Sequence, residues 1–318
     1  MNRESTLFQA LSDPTRLRIL ALLGQMELAV GEIAQVLGQS QPRVSKHVRI
    51  LLDCGLAERR KEGNWVFLRL GAPALVEPLF DLLRQWAKLD GESPWIAADA
   101  ARLAAIRSER SHEAARYFAA HAGDWDRLRA LHVPVAEVDR AVLRALGDRP
   151  LGHVVDLGTG TGTMLWLLAS RADHVIGIDR SPEMLRYARA RVDEAGLAHV
   201  ELRQGDIYGL DLPSGAADTV ILHQVLHYAQ RPGAFIAEAA RLLAPGGQLL
   251  VVDVAAHDHE ALRRDHAHAR LGFPDEEVLA YFAAAGLRGE AVEHLEGGEL
   301  TITLWLARPI APHLKVVA

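Results

Sequence analysis

Glycines and carboxylates alternate through the second half of the chain in a pattern suited to ligand binding. Val154–Gly162 reads VVDLGTGTG, an apolar run, then Asp156, then Gly158, Gly160 and Gly162 interleaved with Thr159 and Thr161. Glycines let a backbone turn tightly and approach a ligand closely. Alone, such a loop between a strand and a helix could bind NAD, FAD or a methyl donor. The acids separate these options. Asp156 precedes the glycines, where a carboxylate suits an ammonium and sits poorly beside a pyrophosphate. Asp179 follows Gly162 by seventeen residues, at the end of the next apolar run and just before Arg180. A carboxylate there accepts both hydroxyls of a ribose. Asp206, in Gln204-Gly205-Asp206-Ile207, ends a third run, where it can meet an adenine amine. Three such acids suit a cationic ligand carrying adenosine and disfavour a diphosphate.

Histidines form a second group. His223 and His227 are four apart, the spacing of one helical face. His257, His259, His266 and His268 cluster in AHDHEALRRDHAHARLGF. One chemistry is a general base that takes a proton from an acceptor, with His227 and His259 as candidates. A divalent-metal site is another, since imidazole is a common ligand. Solvated loop histidines are a third. No metal ligand is assigned.

The first part of the chain suggests a polyanion partner. Residues 1–95 hold 12 Lys and Arg against 11 Asp and Glu, although the whole chain carries a net charge of −6. Within Arg43–Arg69, seven basic residues face three acids. The helix expected over Gln41–Asp53 buries Val44, Val48, Leu51 and Leu52. Its other face carries Gln41, Arg43, Ser45, Lys46, His47 and Arg49. Gln and Arg can contact base edges in a major groove; Ser and Lys suit phosphates. Arg59, Arg60 and Lys61 lie on a β-hairpin, where phosphate or minor-groove contacts are expected.

These residues need particular elements to hold them. Leu7 and Leu11, then Leu17, Leu20 and Leu23, recur at helical spacing around Asp13-Pro14, which caps the second helix. A short helix over Val30–Leu37 ends at Gly38, and Ser40 caps the next. Leu56–Arg60 and Trp65–Leu70 alternate as strands. Pro73–Leu89 is another helix. From residue 153 the pattern becomes β-α-β. Strands are expected at His153–Leu157, His174–Ile178, Val200–Arg203, Thr219–Leu222 and Gln248–Val254. Thr161–Ser170, Pro182–Glu194 and Pro232–Leu243 are expected as the intervening helices. Such alternation implies a doubly wound parallel sheet. After a helix over Glu276–Ala285, Val292–Leu295 and Leu300–Leu306 are joined by four residues. That is too short for a parallel crossover, so the pair must be antiparallel.

Two family resemblances follow. LSDPTRLRIL together with GEIAQVLGQSQPRVSKHVRILLDCGLAERRKEGNWVFLRL resembles the ArsR/SmtB winged helix-turn-helix regulators over almost all of residues 5–90. The resemblance implies a homodimer on a palindromic operator, with Leu7, Leu11, Leu75, Leu79, Leu82 and Leu83 in its seam. Where thiophilic-metal sensors of that family carry cysteines, this chain has Ala29 and Gly31. The last helix also lacks the imidazoles of the zinc-type site, so metal sensing is expected to be lost. Residues 110–308 resemble class I S-adenosylmethionine-dependent methyltransferases of the UbiE-like branch. Asp218–Tyr228 and ARLLAPGGQLL extend that match. The resemblance implies a seven-stranded Rossmann-like sheet with an antiparallel last strand. It assigns Asp156, Gly158, Thr159, Gly160 and Gly162 to the methionine part. Asp179 and Arg180 fall to the ribose, and Gly205, Asp206 and Ile207 to the adenine. His223 falls beside the sulfonium, and Tyr117 and Trp125 would cover the cofactor.

The expected layout is therefore a winged-helix domain over 1–90, a helical linker and lid over 91–150, a methyltransferase domain over 151–308 and a tail over 309–318. At 318 residues, 49% hydrophobic and 24% charged, disorder is excluded. No apolar run nears the ~20 residues of a membrane span. MNRESTLFQALSDPTRL has no apolar signal core, so a cytoplasmic location is expected. The single cysteine, Cys54, excludes an internal disulfide and makes arsenite capture by several thiolates unavailable. Two functions remain in view. One is an operator-binding regulator with a methyltransferase acting on a small molecule. The other is a regulator that senses S-adenosylmethionine or S-adenosylhomocysteine without turnover. Methylation of nucleic acid is disfavoured by the acidic second half and by His223-Gln224-Val225-Leu226 in place of a base-methylation signature.

Overall fold

Asp13 starts the first unit's architecture. Its carboxylate accepts the Thr15 amide at 2.7 Å and caps α2 (Pro14–Leu23), which follows α1 (Arg3–Leu11). In this computed structural model, residues 3–62, 65–90, 94–121, 133–297 and 299–310 are described. Then come β1 (Leu28–Ala29), α3 (Val30–Leu37) and α4 (Gln41–Asp53). Gly38, at φ +62°, ends α3 in the left-handed conformation that glycine adopts without a Cβ clash. Ser40 occupies the N-cap position of α4, but its side chain makes no capping bond. β2 (Ala57–Glu62) and β3 (Trp65–Leu70) form the hairpin, and β1 adds to β3, giving the order β1-β3-β2. α5 (Pro73–Asp90) and α6 (Pro94–His121) follow.

The chain divides into units at His112/Glu113. The first part of the expected linker thus packs into the first unit. Leu103 and Ile106 of α6 join the core built by Ile19, Leu20, Ile33, Val44 and Leu68. Arg18 of α2 grips the buried Asp99 with two hydrogen bonds, at 2.7 and 2.6 Å. Arg102 donates to the Val36 carbonyl at 3.0 Å. A buried, bidentate pair couples more strongly than a surface one. A double-mutant cycle with Arg18→Ala and Asp99→Ala, read by urea unfolding, is expected to show a coupling of about 1–2 kcal/mol. A coupling near zero would mean that apolar contacts alone hold α6.

The second unit is a seven-stranded sheet with the order β6-β5-β4-β7-β8-β10-β9. Its strands are β4 (Gly152–Leu157), β5 (Ala172–Asp179), β6 (Val200–Gln204), β7 (Ala217–His223), β8 (Leu243–Val254), β9 (Leu287–Glu296) and β10 (Thr301–Pro309). β4 to β8 are parallel; β10 runs antiparallel to both β8 and β9. Period-two alternation sends neighbouring residues to opposite faces. Val154, Ile221 and Leu250 pack on one side with Val138 and Val142 of α7 (Val135–Leu146). Val155, Leu222 and Leu249 pack on the other with Ile236 and Leu242 of α10 (Pro232–Leu242). The remaining helices are α8 (Thr163–Leu168), α9 (Pro182–Glu194), α11 (Glu260–Asp265) and α12 (Asp275–Ala284). No described helix is long and apolar enough to cross a membrane.

Strand order decides where a ligand goes. The chain runs outward from β4 to β6, then returns to β7 beside β4. That reversal opens a crevice beyond the C-terminal ends of β4 and β7.

Candidate functional site

The glycine and carboxylate group of the second unit meets at this reversal, together with part of the histidine group. Gly158 and Thr159 donate their amides to the Ile178 carbonyl at 2.8 and 2.9 Å, folding the glycine loop onto the end of β5. Asp179 organises the loop from the side. One oxygen accepts the Gly160 amide and the other accepts the Ser181 amide, each at 2.8 Å. A carboxylate offers about four lone-pair sites, so both oxygens keep room for another donor. Burial, only partly offset by the Ser181, Gly160 and Arg180 amides and the Arg180 charge, raises the Asp179 pKa above the ordinary aspartate range.

Asp156 lies beneath the loop, 1% exposed, and accepts the Thr159 hydroxyl at 2.6 Å. Gly205 donates to the Asp179 carbonyl at 3.0 Å, which ties the β5 and β6 ends together. Asp206 accepts the Tyr208 amide at 3.1 Å, and Ile207 is buried beside it. Arg180 is exposed. Tyr117 falls on α6, but its side chain, like Trp125, lies outside the described residues.

The histidines separate. His223 ends β7 and is buried. Gln224 then takes φ +51°, and Leu226–Tyr228 form a 3-10 turn. The expected helical face shared by His223 and His227 therefore does not exist, because the chain leaves a strand there. His227 turns inward, and its Nδ1 lies 2.6 Å from Oδ1 of Asp253 at the end of β8. His259 does not join it. Its ring is exposed and Nε2 meets the Glu299 carbonyl at 3.1 Å, away from the His227–Asp253 pair. Among the described residues no group of three His, Cys, Asp or Glu side chains could hold a metal.

Sequence reasoning missed Asp253. The signal was present: it is the one acid in the apolar run Leu249–Val254. His268, one of the histidines clustered after β8 in the sequence, is buried with its ring centroid 4.2 Å from that of His227.

In the first unit, α4 presents Gln41, Arg43, Ser45, Lys46 and Arg49 to solvent, as its spacing implies. His47 differs. It is half-buried and turns its Nδ1 toward Asp13, 3.8 Å away. Arg60 differs too. Its Nε bonds Glu27 at 2.6 Å, and its guanidinium lies over the Phe67 ring. Alternation along β2 sends Arg59 and Lys61, both exposed, to the other face. Arg59 is thus better exposed than Arg60 for a phosphate contact.

Known proteins share both halves. Residues 13–59 match the model of bacterial regulatory proteins of the arsR family. An arsenic resistance transcriptional regulator of Pseudomonas putida is 37% identical over 98 residues, 30% of this chain and 83% of that protein. The chain belongs to the ArsR family. Unlike a lone winged helix, this ArsR-family chain also matches a methyltransferase domain over residues 149–283. A phosphatidylethanolamine N-methyltransferase of Cereibacter sphaeroides is 41% identical over 108 residues, 34% of this chain and 53% of that one. The chain spans about a third to a half of the length of several such relatives. The YcgJ protein of Bacillus subtilis aligns with a TM-score of 0.51 at 19% identity, over 55% of this chain and 98% of its own, and so shares the fold.

The donor set fits S-adenosylmethionine. Three acids stand at consecutive strand ends, all three loop glycines (Gly158, Gly160 and Gly162) have positive φ, and Asp179 keeps acceptor capacity on both oxygens. A dinucleotide pyrophosphate would meet Asp156 beneath the same loop.

Proposed function

We propose that this protein is an operator-binding transcriptional regulator whose second unit transfers a methyl group from S-adenosylmethionine to a small-molecule acceptor. The observation that carries the enzyme half is Asp179, bound by one loop amide on each oxygen at the sheet's reversal point. The donor, when bound, supplies a sulfonium methyl group. Asp179 accepts the ribose hydroxyls, and the glycines let the backbone close on the methionine portion above Asp156. Asp206 and Ile207 frame the adenine, while His223 borders the reacting end. Methyl transfer is an in-line displacement, so holding donor and acceptor aligned and dry supplies much of the rate.

The operator half rests on the exposed polar face of α4. Lys46→Ala is expected to weaken binding to all duplexes alike and to lower the slope of log affinity against log salt by about 0.9. Gln41→Ala should relax sequence preference instead. Fluorescence anisotropy with a fragment of the protein's own promoter and a scrambled duplex separates the two. An unchanged salt slope in Lys46→Ala would remove that residue from the interface. Homodimer formation through α1 and α5 belongs to the same reading. Leu7, Leu11, Leu75 and Leu79 pack partly on their own core, while Phe8 and Leu82 remain exposed.

A second reading, sensing without turnover, is favoured by α6. This one helix starts in the first unit and continues past the division at His112/Glu113. Calorimetric titration with S-adenosylmethionine and S-adenosylhomocysteine, with and without promoter DNA, tests both. If DNA changes either affinity, linkage requires the ligand to change operator affinity equally. If neither ligand binds, the methyltransferase reading fails.

A further inference from the structure

We infer that His227 is the general base of the transfer, oriented by Asp253, and that the acceptor atom is therefore a hydroxyl oxygen such as that of a phenol or enol. The inference rests on the methyltransferase reading and names the substrate class for that site.

Geometry assigns the tautomer. Asp253 is completely buried, yet both its oxygens are bonded. Oδ2 accepts the amides of Leu226 (2.8 Å) and His227 (3.3 Å), and Oδ1 accepts the Val254 amide (2.8 Å). Asp253 thus faces the imidazole as an acceptor, and the 2.6 Å contact places the hydrogen on Nδ1. Nε2 is left as the lone-pair nitrogen, and no described residue hydrogen-bonds to it. Tyr228 and His268 pack against the ring at tilted angles, with centroids 4.0 and 4.2 Å away. Behind it the Arg270 amide bonds the His227 carbonyl at 2.9 Å, and the Arg270 guanidinium pairs with Glu277. The charged and titratable groups around the imidazole are therefore Asp253, Tyr228 and His268. A histidine oriented by a buried carboxylate through one nitrogen, with the other nitrogen open, is the arrangement of a general base.

Location agrees. His227 follows β7 and Asp253 ends β8, adjacent strands whose C-terminal ends border the crevice. The loop holding them also touches the donor loop, since Val225 packs against Gly158.

Such a base is needed only by some acceptors. A thiol is already partly thiolate near neutral pH, and a neutral amine attacks with its own lone pair. A neutral hydroxyl is a poor nucleophile until its proton leaves. In the proposed step the O–H proton passes to Nε2 as the oxygen lone pair forms the O–CH3 bond. The methyl–sulfur bond breaks and its electrons stay on sulfur as a neutral thioether. The imidazolium is stabilised by Asp253 until it loses the proton to water.

The test uses the full chain with 13C-methyl-labelled S-adenosylmethionine and a small-molecule extract of the source cells, with products read by 13C NMR. Labelled O-methyl carbon is expected. Labelled S-, N- or C-methyl carbon would overturn the inference while leaving the methyltransferase reading intact. No labelled product at all would end both. In parallel, 15N-histidine spectra should show the Nδ1–H tautomer for His227, assigned by its loss in His227→Gln. Asp253→Asn keeps the backbone acceptor but can turn an NH2 toward Nδ1, so it should invert the tautomer and slow O-methylation by about 10²-fold or more. S-adenosylhomocysteine affinity should stay unchanged in both variants. A wild-type Nε2–H tautomer, or full activity in His227→Gln, would overturn the assignment.

Discussion

Asp179→Asn is expected to bind S-adenosylmethionine about 10- to 100-fold more weakly, the worth of hydrogen bonds from a diol to a charged acceptor. The fold should survive. The Asn carbonyl can keep one of the two amides, and Ser181 still caps α9 through the Met184 amide at 3.2 Å. Burial raises the Asp179 pKa, so the sign of the pH effect follows. The folded protein without ligand holds that proton more tightly than the unfolded chain does. Its stability therefore falls as pH rises from the ordinary aspartate range through the raised value, and is level above it. Donor affinity moves the other way. It is full where Asp179 is ionised and falls as pH drops through the raised value. Asp179→Asn should lose that pH dependence while melting no lower than the wild type at neutral pH. Calorimetry across acidic pH together with thermal melts checks both. Wild-type affinity in Asp179→Asn would remove Asp179 from the donor site.

Gly158→Ala should be as damaging, for two separable reasons. Gly158 has φ +76°, where a Cβ costs about 1–2 kcal/mol. A Cβ there would also lie 2.9 Å from Val225 Cβ and nearer still to one of its methyl groups. The clash must push the His223–Tyr228 segment away from the glycine loop. The expected result is loss of measurable donor binding, with a lower melting temperature. Gly196→Ala is the control. Its φ is +64°, and an added Cβ would meet nothing within 4 Å. It should cost stability alone and leave binding intact. In Gly158→Ala/Val225→Gly both the methyl and the Cβ contacts are removed but the backbone cost stays, so binding should partly return. Binding that stays absent in the double variant would show that the glycine's conformation, not its closeness to Val225, is what matters.

Most of the second unit's framework was legible because its signals are local. Five parallel strands, the helix Pro182–Glu194 and the antiparallel final pair follow from apolar runs, capping residues and connection length. Asp179 was also legible, since an acid at the end of a buried strand has few other reasons to be there. The same holds for the α4 face, where helical spacing alone separates Val44 and Val48 from Arg43, Lys46 and Arg49.

What was not legible depends on partners distant in sequence. Spacing put His47 and Arg60 with the exposed cations. Asp13 and Glu27, 34 and 33 residues away, draw them inward, and pairing across such distances leaves no periodic trace. His223 and His227 read as one helical face because spacing cannot tell a helix from a strand that ends in a tight turn. His227 and Asp253 are 26 residues apart and meet only because β8 lies beside β7. The residue types and the strands that carry them were thus determined by the sequence alone, through local periodicity and chain connectivity. Which histidine acquires a carboxylate, and which cations stay free, was decided by strand order and packing, because those alone bring distant side chains within a hydrogen bond's length.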